Sequence, residues 1–244
     1  MKIVFVILAC TTLNCPVFSQ IDNSQVACEL KKLSETYKAK PSLSFHISYY
    51  YADEQTPAIY LDSLKGSFKL HGNHFWYELN ETEAMSGDNY IVMLFKEDQI
   101  MYLAKPGSEA KGLNPLSSLD SFVIDTNNVK GSIQEYQYER KISLSFTPGS
   151  KYKTIEYFIS KETGLINRMI NVVESGALFD ENVQPLTNTN SSYAIVEIIL
   201  SEYQTTEPAE KDFNTNRYFK KEGSDYVPVP PYESYKIFLG SPNL

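Results

Sequence analysis

Hydrophobic and polar positions alternate most plainly over residues 64–104. Leu64, Gly66, Phe68 and Leu70 alternate with Lys65, Ser67 and Lys69 until His71-Gly72-Asn73 breaks the run. Phe75, Tyr77 and Leu79 alternate with Trp76 and Glu78, and a polar, glycine-containing stretch follows. Tyr90 to Phe95 is continuously apolar, Lys96-Glu97-Asp98-Gln99 turns the chain, and Ile100 to Ala104 returns. Period-two alternation bounded by turn residues predicts strands. Close spacing predicts antiparallel hairpins rather than crossovers. This stretch is therefore expected to be a four-stranded, up-and-down sheet joined by loops, one of them the polar stretch after Leu79.

The flanks extend that pattern. After Asp22-Asn23-Ser24, which supplies N-cap candidates, Val26, Leu30, Leu33 and Tyr37 recur at helical spacing, and Pro41 stops the run. Ser44 to Ala52 predicts a strand with Phe45, Ile47, Tyr49 and Tyr51 on one face, followed by a polar link over 53–60. Leu113, Leu116, Leu119, Phe122 and Val123 predict a second helix over 114–123, with Pro115 in its first turn. Further strands are expected at 131–138, 141–146, 151–160, 165–173 and 193–203, with the strong turn Thr147-Pro148-Gly149-Ser150 among them. Residues 174–191 read as a long loop, and the chain from 205 as a charged, proline-rich tail ending in one short segment over 232–239. The sum is nine to eleven strands and two helices. This predicts an α+β fold: a curved antiparallel sheet forming an incomplete β-barrel, with helices covering the open side.

Composition narrows the function classes. A net charge of −8 opposes nucleic-acid binding, which needs clustered Lys and Arg, and opposes electrostatic docking on anionic membranes. Eighteen Tyr and thirteen Phe against one Trp suit pleated, half-buried surfaces. Met1-Lys2 followed by an apolar run to Cys10 and by Val17-Phe18-Ser19 matches a signal peptide over 1–19, with one domain over 20–244. The run is too short to span a bilayer. Ile7-Leu8-Ala9-Cys10 offers a competing lipoprotein reading, in which Cys10 is lipidated. Cleavage leaves Cys28 alone, beside Val26 and Leu30, as a small apolar helix residue and without a disulfide.

The order of elements resembles the outer-membrane lipoprotein carrier family, the LolA/LolB-like periplasmic proteins. The likeness runs through the N-terminal helix, the Phe45 strand, Leu64-Lys65-Gly66-Ser67-Phe68, Phe75-Trp76-Tyr77-Glu78, the hairpin over 90–104 and Ser160-Lys161-Glu162-Thr163-Gly164-Leu165. The resemblance implies an incomplete barrel under a helical lid, with an apolar interior that takes lipid or the acyl chains of lipoproteins. Phe45, Phe68, Leu70, Phe75, Tyr77, Leu94, Tyr102, Leu116 and Leu119 are the expected lining. The chain departs from the family in two ways. Its arginines are Arg140, Arg168 and Arg217, none of them in the first half where the family places a lid-holding Arg, and its tail after Phe213 is long.

Other chemistry is thin. His71 and His74 flank a turn without the ligand set of a structural metal site, so no metal or other cofactor is expected. Glu81, Glu83 and Asp88 read as a solvated acidic loop, with acid–base hydrolysis as the sharper alternative. No Gly-x-Ser-x-Gly elbow or phosphate-cradling glycine motif occurs. The aromatic set Tyr49, Tyr51, Phe68, Phe75, Trp76, Tyr77, Phe95 and Tyr102 fits either plain core packing or a ligand cavity. The expectation is a non-enzymatic, exported carrier of a hydrophobic ligand. An envelope interaction module with a filled core, engaging a protein partner, stands as the alternative.

Overall fold

The computed structural model describes residues 23–106, 128–178, 192–207, 210–241 and 244. The expected signal peptide with Cys10, the expected helix over 114–123 with Leu116 and Leu119, and most of the loop over 174–191 lie outside these residues.

Helix α1, Asn23–Lys38, buries the expected stripe of Val26, Leu30 and Leu33. Cys28 is exposed on the opposite side, so it does not pack as a small apolar residue. Helical spacing places it two positions from the buried stripe, on the solvent side of the turn. Residues from Ser42 onward form the strands β1 (Ser42–Asp53), β2 (Tyr60–His71), β3 (His74–Leu79), β4 (Thr82–Ser86), β5 (Ile91–Phe95) and β6 (Ile100–Ala104). They continue as β7 (Val129–Glu135), β8 (Glu139–Phe146), β9 (Tyr152–Ser160), β10 (Ile166–Glu174), β11 (Tyr193–Gln204), β12 (Phe219–Glu222), β13 (Asp225–Pro228) and β14 (Lys236–Leu239).

Twelve of these strands make one open, curved sheet in the order β14-β6-β5-β4-β3-β2-β1-β11-β10-β9-β8-β7. Every pairing in it is antiparallel except the parallel β14–β6 edge. The fold is thus the incomplete-barrel α+β arrangement expected from the sequence, with α1 as the one α-helix among the described residues. The strand count exceeds the expected nine to eleven for two reasons. The polar stretch after Leu79 is not a loop but β4, paired to β3 and β5. The charged, proline-rich tail also forms the β12–β13 ribbon, while β14 lies in the short segment expected over 232–239.

Glycine permits two close approaches. A Cβ on Gly66 would lie 1.7 Å from the carbonyl oxygen of Glu78, so only glycine lets β3 press this tightly on β2. A Cβ on Gly131 would meet the Val26 side chain at 2.7 Å, which is where α1 seats against β7. Instead of remaining a local cap, the Asn23 carboxamide joins the free edge of β7. It donates to Val129 O and accepts from Gly131 N, both at 2.9 Å. This blunts an edge that has no other strand beside it among the described residues. Arg140 on β8 pairs with Glu29 of α1 and with Glu135, so the arginine tying helix to sheet comes from the second half of the chain. Burial alone would raise Glu135, but its bonds to Lys161 and Arg140 outweigh this and hold the carboxyl below its ordinary value.

The sheet carries an apolar cluster on each face. On the inner face, Val26, Leu30 and Leu33 of α1 pack with Phe45, Phe68, Phe75, Tyr77, Tyr157, Ile166 and neighbours. On the outer face of β4–β6, Met85, Val92, Leu94, Met101 and Leu103 pack under Tyr218 and Phe219 of the C-terminal segment.

Candidate functional site: the inner face of the sheet

Strand alternation places Leu43, Phe45, Ile47 and Tyr49 of β1 inward, and the β1–β2 register sets Phe68 opposite Phe45. The rings form a ladder. Phe45 and Phe68 stack at 5.3 Å between centroids, Phe68 meets Tyr77 at 5.9 Å and Phe75 at 6.2 Å, and Phe75 meets Tyr77 at 6.1 Å. Offset rings at these spacings add about 0.5–1.5 kcal/mol per pair beyond area burial. At the lower end, Tyr37 and Tyr203 share a hydroxyl–hydroxyl bond of 2.9 Å. Ile166 N donates to Tyr37 Oη at 3.0 Å, and Tyr203 Oη donates to Ile166 O at 2.7 Å. Burial pushes both phenols up from their ordinary values.

Packing is uneven along this face. Phe45, Phe68 and Phe75, close to the α1-bearing cluster, are no more than 4% exposed. Towards the β14 edge, inward residues keep surface: Leu70, Leu79 and Met93 are half-buried against the cluster. Register continues this face through Phe95 opposite Ile100, Tyr102 opposite Met93, and Phe238 beside Tyr102. Phe95 is 36% and Phe238 50% exposed. The result is an apolar trough that is solid near α1 and accessible near β5, β6 and β14.

Of the expected lining, Phe45, Phe68, Phe75, Tyr77, Leu70 and Tyr102 come together on this face. Leu94 does not, because it points outward into the second cluster with Met85 and Leu103. The β5 run Ile91–Phe95 is apolar on both faces, so its sequence does not say which way Leu94 turns. Sequence reasoning missed Met93 for the same reason. It missed Asn171 as well, although a polar residue in the alternating series Met169, Asn171, Val173 was a readable signal.

The polar candidates resolve into structural roles. Glu83 is not solvated in a loop. It lies 5% exposed on β4, where its Oε1 accepts from Trp76 Nε1 at 2.7 Å, Tyr218 Oη at 2.5 Å and Arg217 Nη2 at 2.9 Å. Lys96 Nζ sits 4.0 Å from its other oxygen and bonds Glu78. Three donors on one carboxylate offset the cost of burying its charge, and they clamp the C-terminal segment to the sheet. Burial, then the neighbouring Glu83 charge, pushes the Tyr218 phenol up. His71 Nδ1 lies 2.8 Å from Ser42 Oγ and His74 Nε2 lies 3.0 Å from Asp88, while Phe213 packs on both imidazoles. The two histidines thus take separate partners and hold the chain around Phe213 in place. No cluster of three or more His, Cys, Asp or Glu suited to a metal occurs among the described residues.

No family model matches the chain, and no curated protein matches it in sequence. Solved structures do. A LolA superfamily protein from Nitrosomonas europaea is similar at 9% identity and a TM-score of 0.36, over 78% of this chain and 98% of that one. The Mycobacterium tuberculosis lipoprotein LppX is similar at 12% identity and a TM-score of 0.39, over 78% and 99%. A conserved, uncharacterized protein from Thermus thermophilus is similar at 9% identity and a TM-score of 0.45, over 80% and 93%. The first bears the name of the family that the order of elements resembles.

Proposed function

We propose that this chain is an exported, non-enzymatic carrier that binds a hydrophobic ligand, a lipid or the acyl chains of a lipoprotein, on the inner face of its sheet. The observation that carries the reading is the graded exposure of that face. A folded chain that leaves Met93, Phe95, Ile100, Tyr102 and Phe238 partly open on the inward side of β5, β6 and β14 presents apolar area that a ligand can cover. Each methylene so buried contributes about 0.8 kcal/mol, so an acyl chain needs no strong polar contact to bind. No helix among the described residues is long and apolar enough to cross a membrane. The periplasmic setting rests on the signal-peptide pattern of residues 1–19.

Native mass spectrometry and lipid extraction of the protein purified from its own host test the reading. Co-purifying lipid that is lost in Met93→Asp, with the melting curve retained, is the expected result. Lipid-free protein that takes up no hydrophobic dye overturns it. That outcome favours a second reading, an envelope interaction module, to which the tight packing of Phe45, Phe68 and Phe75 already lends support.

A further inference from the structure

One side chain of the trough is out of keeping with its surroundings. On β10, Asn171 follows Met169 by two and so shares its inward face. Register lays Asn171 in a row across four strands with Tyr51, Val196 and Ile155. Ile155 and Met169 both belong to the inner apolar cluster. Asn171 Oδ1 is shut off from solvent, and no hydrogen bond reaches it from the described residues. A buried acceptor left unpaired costs free energy that a leucine in its place would not, so its presence in a hydrocarbon wall points to a donor supplied from outside the chain.

The groups around it fit that reading. Tyr49 and Tyr51 lie two positions apart on the inner face of β1, and the Tyr49 phenol is raised chiefly by burial. Tyr51 is the register partner of Asp62 at the start of β2, an exposed carboxylate. The upper part of the trough therefore gathers phenols, one orphaned carbonyl oxygen and one negative charge, while the lower part is the ring ladder and Leu70.

Resting on the carrier reading, we propose that Asn171 seats the head group of the ligand, and that the ligand is an amphiphile whose uncharged head donates a hydrogen bond through a hydroxyl or amide N–H. The donor bonds Asn171 Oδ1, and the chain lies against the apolar wall. A free carboxylate head is disfavoured, because it brings an acceptor to an acceptor and a negative charge towards Asp62.

The test uses the full chain loaded with the hydrophobic dye N-phenylnaphthylamine, displaced by dodecanol or by its methyl ether, which has the same tail and oxygen but no donor. The alcohol should displace the dye about 5- to 10-fold more tightly than the ether, the worth of one hydrogen bond. In Asn171→Leu the alcohol should fall to the level of the ether, and the variant should melt no lower than the wild type, since it removes an unpaired buried acceptor. Equal displacement by alcohol and ether in the wild type, or a preference that survives in Asn171→Leu, overturns the assignment of Asn171 and leaves the carrier reading standing. A chain that takes up neither dye nor either displacer overturns the carrier reading itself, and this inference with it.

Discussion

Strands β5 and β6 are apolar on both faces, and the apolar clusters on the two faces of the sheet are closed by different means. Inward, Phe68, Phe75 and Tyr77 join a cluster made of aliphatic and aromatic side chains from ten strands or so and from α1, held by shape and area. Outward, Met85, Val92, Leu94, Met101 and Leu103 are roofed by Tyr218 and Phe219, and the roof is pinned by a buried carboxylate bonded to Trp76, Arg217 and Tyr218. The inner cluster reaches across most of the sheet, from β7 to β5, so a defect in it is felt widely. The outer cluster joins one patch of sheet to one terminal segment, so a defect there can open locally. The same contrast explains why a ligand is sought inside: the outer face already has its cover within the chain.

The largest expected effect breaks the inner side of this comparison. Phe68→Ala removes the ring at the centre of the ladder, 1% exposed and in contact with Phe45, Phe75 and Tyr77. It should cost about 3–5 kcal/mol in urea unfolding, with all probes moving together. A loss below about 1 kcal/mol would mean that the inner cluster is not the common core.

A smaller effect is expected outside. Glu83→Gln keeps the size of the side chain but removes the charge that receives Arg217, and should cost about 1–3 kcal/mol. Limited proteolysis should then cut in the segment from 210 onward while the circular dichroism of the sheet persists. Cooperative loss of the whole sheet would erase the distinction between the two faces.

The smallest effect is a slope. Tyr37, Tyr157 and Tyr203 on the inner side and Tyr218 on the outer are all raised chiefly by burial. With folded values above the ordinary tyrosine value of about 10, the folded chain keeps protons that the unfolded chain gives up. Their contribution is thus complete below pH ~10 and declines as pH rises beyond it. Stability measured between pH ~10 and ~11 should fall, and Tyr157→Phe should flatten that slope by up to about 1.4 kcal/mol per pH unit. An unchanged slope in that variant would mean that Tyr157 ionises freely in the fold.

Much of the candidate site was legible because strand alternation reports a face directly. Phe45, Phe68, Leu70, Phe75 and Tyr77 all fall where period two puts them, while the face of Tyr102, in the all-apolar run Ile100–Ala104, follows only from its register with Met93. Leu94 was not legible, since a strand buried on both sides has no alternation to read. Glu83 was misread as loop because the three groups that make its burial tolerable include Arg217 and Tyr218, more than 130 positions away. Asn171 stood out only as a polar break in an apolar series, and its meaning depends on Val196 and Ile155 beside it.

The chain by itself determined most of the strands, β4 apart, the inward stripe of α1 and the antiparallel order of the hairpins. These are local quantities: side-chain period, turn residues and short loop lengths act within about ten residues of each other. Only the tertiary structure decided which apolar face is closed by the tail, that β14 joins β6 in parallel, and that the trough is solid near α1 and open near β5 and β6. Those outcomes depend on contacts between segments far apart in sequence, where the free energy comes from surfaces meeting rather than from the pattern of either surface alone.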